Sequence, residues 1–312
     1  MSNQPLYRAF CERFPKLPVF AEPWFLDAVC EGGRWDAAIV RNGEQMVGAM
    51  PYFLKHKGPF RYLTMPHFTK HLGPCLLPEF SALKFEHKFY TELACQLPKV
   101  HAIHQDLHPD VANWLPFYWL GYRQTTRYTY HICLSEGLDK VQEGFNRNIR
   151  RNLRKAEQEL QVHRALSPEQ FYDINRQSFV RQGIAIPYSK ALFLRHDAAL
   201  AAHQRRQIFC ATDGQGNIHS AAYLIWDARA SYYHLSGDAP AGRLSGAGIL
   251  LVWEAIRFTH KVLGLPVFDF EGSMMPQVEA IRRQFGARQV PYSRVWKYNS
   301  RLFQLLDQAK RR

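Results

Sequence analysis

Closely spaced cysteines are missing from this 312-residue chain. Its six cysteines, Cys11, Cys30, Cys75, Cys95, Cys133 and Cys210, form no CxxC pair. That pattern argues against a zinc ribbon or a disulfide framework and for the reduced thiols of a cytoplasmic protein. No apolar run reaches the ~18 residues of a membrane-spanning helix. The opening Met1-Ser2-Asn3-Gln4-Pro5 lacks the basic-then-apolar pattern of a secretory leader, so any membrane contact is expected to be peripheral. Neither low-complexity tracts nor repeats of about 20–50 residues are visible, which argues against solenoids and disordered tails.

What is present suits a globular protein with a substantial core: 46% of residues are hydrophobic and 14% aromatic. Length allows one large domain or two of about 150 residues. A formal net charge of +13 and a pI near 9.5 point to an anionic partner. Nucleic acid, a membrane surface and a phosphorylated cofactor all qualify.

In the first half, Pro23–Cys30 reads as a helix, and Ala37–Val40 with Gln45–Leu54 as a hairpin around Asn42-Gly43. Residues 55–78 read as loop, Ser81–Leu97 as helix, and Val100–Gln105 and Thr129–Leu134 as strands. Leu138–Leu160 carries a long helical pattern in which Arg147, Arg150, Arg151, Arg154 and Lys155 form a basic face, either solvated or phosphate-binding.

The second half alternates helices and strands up to the pair Ile218–Trp226 and Ala230–Leu235. A helix follows over Gly246–Leu263, then strand Val267–Phe270, helix Gln277–Phe285 and a last strand Val290–Tyr298. Histidines at 101, 104 and 108, with Asp106 and Asp110, raise the question of a metal. The strand reading puts His101 and His104 on opposite faces, so no metal site is expected.

Chemistry concentrates between Tyr232 and Met274. Arg243-Leu244-Ser245-Gly246-Ala247-Gly248 opens the apolar helix, and free N–H groups at a glycine-rich helix start favour a phosphate. Glycine also marks turns for steric reasons alone. A dinucleotide fingerprint is excluded, because position 251 is Leu. Phe268-Asp269-Phe270-Glu271 ends a strand with two carboxylates, which alternation puts on one face. Glu271 is the first choice as general base and His234 the second. Tyr232, Tyr233 and Ser236 lie on the preceding strand, as core residues or as groups that hold an acceptor or protonate a leaving group.

The spacing R-x-x-G-x-G resembles the pyrophosphate loop of the GNAT acyltransferases. Tyr233-His234-Leu235-Ser236-Gly237, Phe268 to Ser273, Phe285-Gly286-Ala287 and the basic segment Arg150 to Ala156 resemble the FemAB-like branch of that superfamily. The resemblance covers roughly residues 135–300 and is looser before them.

It implies an α+β fold of two GNAT-like halves, residues 1–135 and 136–312, each a mixed, mostly antiparallel sheet flanked by helices. The first half would contribute to the acceptor site. It further implies transfer of an acyl group to an amine without a metal, or, in a reading of another class, a non-catalytic GNAT scaffold that binds coenzyme A or a carbohydrate precursor. The donor is acyl-CoA or, as in relatives that build peptidoglycan cross-bridges, aminoacyl-tRNA. The R-x-x-G-x-G spacing leans towards coenzyme A, with Arg243, Ser245, Gly246, Ala247 and Gly248 as its ligands. Asp269, Ser236, Arg150, Arg151 and Arg154 would contact substrate. Lys297, on the last strand, would correspond to an oxyanion-stabilising lysine of the tRNA-using relatives. The acceptor, whether amino sugar, cell-wall precursor, polyamine or protein amine, has no readable code.

Overall fold

The computed structural model describes residues 2–14, 16–240 and 245–311, with the side chains of 310 and 311 excepted. The chain falls into two compact units: residues up to Arg127 together with those from Pro291 onward, and Tyr128–Val290 between them.

The first unit opens with α1 (Gln4–Glu12) and α2 (Pro23–Val29), which the prolines at positions 5 and 23 start. Strands β1 (Gly33–Asn42), β2 (Gln45–Lys57), β3 (Phe60–Thr64) and the short β4 (Cys75–Leu76) follow. Then come α3 (Leu83–Cys95), β5 (Ala102–Asp106) and α4 (Leu115–Trp119). In the hairpin, Asn42 pairs with Gln45, so its two-residue loop is Gly43-Glu44, one place on from the expected Asn42-Gly43. β3 lies within the segment that reads as loop; it pairs antiparallel with β2 and parallel with β5.

The second unit takes in most of β6 (Arg123–Cys133), then α5 (Leu138–Glu143), α6 (Arg147–Glu159), β7 (Gln161–His163), α7 (Pro168–Arg181) and α8 (Lys190–Ala202). Next come β8 (Arg206–Thr212), β9 (Ile218–Trp226), β10 (Ala230–Asp238), α9 (Ala247–Phe258), β11 (Val267–Asp269) and α10 (Pro276–Gln284). Its strands are ordered β6-β11-β10-β9-β8-β7, antiparallel except for the parallel pair β10–β11. The single helix expected over 138–160 is two, because Asn146 caps a new one by accepting the N–H of Ile149 at 2.8 Å.

α9 packs on β8, β9 and β10 through Leu250, Leu251, Val252, Trp253, Ala255 and Ile256, all buried. Each large one of these contributes about 1.5–3 kcal/mol of burial free energy. Such a helix cannot rotate, so its N-terminus is a fixed feature of the unit.

The chain ends with β12 (Arg288–Tyr298) and α11 (Arg301–Arg311). The boundary at 135/136 drawn from sequence leaves these with the second half; contacts group them from Pro291 onward with the first. β12 pairs with β5 from Arg294↔Asp106 to Tyr298↔Ala102, and the Arg294 guanidinium forks onto the Asp106 carboxylate. Periodicity along a chain identifies a strand but not the sheet it joins. No helix among the described residues is long and apolar enough to cross a membrane.

Candidate active site

β10 and β11 are paired for three residues, Ala230–Tyr232 against Val267–Asp269, and then part. Phe270 adds one more bond to β6, its N–H to Tyr130 O at 2.9 Å, and β11 then stops because the next two residues are left-handed, Glu271 at φ 55° and Gly272 at φ 60°. β10 runs on to Asp238, and its register against β9 shifts between Tyr233 and Leu235, with His234 in the extra place. A bulge of this kind re-aims a side chain. Across the gap His234 Nδ1 stands 2.6 Å from Glu271 Oε1. The two residues that sequence reasoning offered as alternatives are one hydrogen-bonded pair.

The backbone holds Glu271 in an unfavourable conformation, which costs on the order of 1–3 kcal/mol for a residue other than glycine. Asp269 supports it. Its Oδ1 accepts the N–H of Glu271 at 2.7 Å and the hydroxyl of Thr129, and its Oδ2 lies 3.1 Å from His131 Nε2. At 2% exposure, Asp269 has both oxygens committed to protein groups and is placed to position Glu271 rather than to touch substrate. Gly272 is obligatory, since a Cβ there would stand 2.1 Å from Tyr128 O.

Behind His234 lies His196 on α8, fully buried, with its Nε2 3.2 Å from His234 Nε2. Burial, and secondarily the neighbouring His234, push the His196 pKa well below its ordinary value, so the ring is neutral. A contact between two imidazole nitrogens needs one N–H and one lone pair. With Glu271 accepting from His234 Nδ1–H, His234 Nε2 is the lone pair and His196 supplies the N–H. The His196 ring lies against Tyr223, whose hydroxyl donates to Asp197 at 2.7 Å, and Asp197 pairs with Arg206 at 3.0 Å. That packing fixes the inner histidine.

The glycine turn bounds a separate cavity of about 290 Å³. Gly246 through Ile249 line it with Ser236, Asp238, Phe285, the buried Tyr233 and Arg282. Gly246 has a steric reason to be glycine: φ is 77°, and a Cβ would meet Asn152 O on α6 at 3.1 Å. Gly248 has no such conformational reason; its nearest neighbour is the Asp238 carboxylate, 3.5 Å from a built Cβ. Ser245 Oγ accepts the N–H of Ala247 at 3.2 Å, and Arg243 lies outside the described residues. Arg282 Cζ lies over Phe270 at 4.8 Å and Tyr233 at 5.8 Å. Burial pushes the Tyr233 hydroxyl pKa up, and the guanidinium opposes that shift.

The other expected residues are spread out. Ser236 is exposed on the cavity wall. Arg150 donates to the carbonyls of Phe145 at 2.7 Å and Glu143 at 3.3 Å, completing the end of α5. Arg151 donates to Asn148 on its own helix, while Arg147, Arg151 and Arg154 form an exposed stripe. Lys297 belongs to the first unit, where its ammonium donates to Leu120 O at 2.7 Å and lies over the Tyr122 ring. That bond accounts for the lysine without an oxyanion. His196 and Arg282 were not found from sequence. His196 stands in an alanine- and leucine-rich helix with no motif around it, whereas Arg282 lies three residues before the noted Phe285-Gly286-Ala287.

Residues 144–276 match the family described as Acetyltransferase (GNAT) domain, a span that includes His196, His234, the glycine turn and Glu271 and ends before Arg282. No curated protein matches the sequence. Among solved structures, FemX is similar over 97% of this chain and 98% of its own, with a TM-score of 0.69 at 13% identity. L-PGS from Bacillus licheniformis is similar over 98% and 96%, TM-score 0.59, 12% identity. The tandem GNAT protein from the clavulanic acid biosynthesis pathway is similar over 96% and 94%, TM-score 0.53, 11% identity. The fold is therefore the α+β tandem GNAT fold that the sequence motifs implied.

Proposed function

We propose that this chain, a tandem GNAT fold with a GNAT acetyltransferase domain at residues 144–276, is an N-acyltransferase that moves an acyl group from acyl-CoA to an amine. The observation that carries the reading is the His234–Glu271 pair at the parting of the two parallel strands. An amine acceptor arrives as an ammonium and must lose a proton to attack. Glu271, whose side chain keeps 14% exposure, is the member of the pair open to an acceptor. It takes that proton while His234 holds its other face by hydrogen bonding. His196, through the tautomer it imposes, keeps the His234 Nδ1–H aimed at Glu271. The amine nitrogen then bonds to the thioester carbonyl carbon. As the C–S bond breaks, its electron pair goes to sulfur, Tyr233 O–H supplies the thiol proton, and the surplus proton on the new amide nitrogen restores the Tyr233 hydroxyl.

The donor is assigned to the cavity beside the glycine turn, with Gly246, Ala247 and Gly248 on its wall and Ser245 bonded to the Ala247 N–H. The test is thiol release from acetyl-CoA with amino sugars, polyamines, peptidoglycan-precursor peptides and lysine peptides as acceptors, with the product weighed by mass spectrometry. Release above the Glu271→Gln background in at least one case supports the reading; none with any acceptor sinks it.

A second reading keeps the reaction and changes the donor to aminoacyl-tRNA, with a cell-wall precursor as acceptor. The exposed Arg147, Arg151 and Arg154 stripe and the likeness to FemX favour it. Phosphate contacts of this kind lose affinity steeply with salt. Filter binding of tRNA at rising salt decides it: absence of binding at low salt removes this donor.

A further inference from the structure

A cation, the Arg282 guanidinium, lines the cavity beside the glycine turn. Arg282 makes no ion pair among the described residues, and its Nε is sealed from water without a hydrogen-bond partner. Guanidinium stays charged at any physiological pH; the side chain is half-buried, and the Asp269 and Glu271 carboxylates favour its charge without a hydrogen bond to it. Phe270 and Tyr233 lie against its Cζ, and the N–H groups of the guanidinium are the binding element.

The glycine turn is less available to an anion than its motif implies. One first-turn N–H, that of Ala247, already meets Ser245 Oγ. The Asp238 carboxylate stands against Gly248, held there by a 2.8 Å hydrogen bond from Ser220. A negative group in this cavity is therefore repelled at the turn and attracted at Arg282.

We infer that Arg282 is the anion-binding residue of this cavity and receives a phosphate or carboxylate oxyanion of the donor through its planar N–H fork. The inference rests on the acyl-transfer reading for the word donor, and on the cavity alone for the anion. It extends the site past the residues that match the GNAT family, which end at 276.

The test titrates the full chain with inorganic pyrophosphate, succinate and coenzyme A, in wild type, Arg282→Lys and Arg282→Met. Wild type should bind pyrophosphate or succinate, and which of the two it prefers tells a phosphate from a carboxylate. Arg282→Met should weaken that binding at least about tenfold, with Arg282→Lys between, because a lysine keeps the charge but not the fork. Added anion should raise the Tm of wild type and leave that of Arg282→Met unchanged. Equal affinity in wild type and Arg282→Met, or no binding of either anion to wild type, overturns the inference. Thiol release by wild type is measured in parallel. Acyl transfer with Arg282-independent anion binding refutes this inference and spares the proposed function; Arg282-dependent binding with no acyl transfer does the reverse.

Discussion

Asp269 accepts the backbone N–H of Glu271 at 2.7 Å, so a carboxylate two residues upstream decides where the site carboxylate points. Replacing Asp269 with Ala removes the acceptor for Glu271, Thr129 and His131 together. We expect a loss of about 3–5 kcal/mol in stability, as when one partner of a buried network is deleted. Asp269→Asn, which keeps one acceptor, should lose about 1–3 kcal/mol. Urea unfolding of both variants measures the difference; equal losses would show that the turn does not depend on both oxygens.

Glu271→Gln keeps the shape and the hydrogen bond to His234 but cannot take a proton. The proposed chemistry predicts a fall of about 10²–10⁴-fold in kcat/KM. The melting temperature should stay close to wild type, since the change falls on a side chain that reaches the surface. Full activity in this variant would remove Glu271 as base.

His196 gives a stability signature. Its pKa in the folded protein is depressed, so below pH 6.5 the unfolded chain binds a proton that the folded chain refuses. Stability is intact above that pH and falls as pH drops below it, by about 1.4 kcal/mol between pH 7.5 and 5.5 for a fully neutral buried ring. His196→Asn should lack this component. Denaturant midpoints at the two pH values, compared between wild type and variant, give the answer; identical slopes would contradict a neutral His196. The same variant, if His196 positions His234, shifts the pH profile of kcat/KM and does not only lower its height.

The two glycines of the turn separate structure from binding. Gly246→Ala must adopt φ 77° against Asn152 O, and should cost about 1–2 kcal/mol in stability. Gly248→Ala lies at the second position of α9 in ordinary helical backbone and should be neutral or slightly stabilising. A Gly248→Ala protein that keeps its Tm but binds coenzyme A at least about tenfold more weakly would mark that backbone as a donor contact. Unchanged affinity would leave Gly246 as a packing glycine and move the donor's weight to Arg282.

Much of this was legible in the chain because the chemistry is local there. The helix after Gly246, the strand that ends in Asp269 and the residues His234 and Glu271 all lie within one forty-residue stretch. The pairing of His234 with Glu271 was not legible, because it depends on a bulge in β10 and a left-handed turn after β11, neither of which has a side-chain signature. Alternation put Asp269 and Glu271 on one face as equals; the end of the strand at Asp269 gives them different partners. His196 comes from a helix far upstream, and only packing brings it in. Lys297 carried an expected role by its place in the sequence, while its bond to Leu120 depends on a strand that joins the first unit.

That return of the chain has a consequence for how the protein is made. Val295 and Phe303 are core residues of the first unit, yet they leave the ribosome after the whole of the second. The unit begun first is thus completed last, and Tyr128–Val290 can fold while β5, paired with β3, still lacks β12. A free chain truncated after Val290 should show a protease-resistant second unit and a first unit open to cleavage. The full chain should protect both.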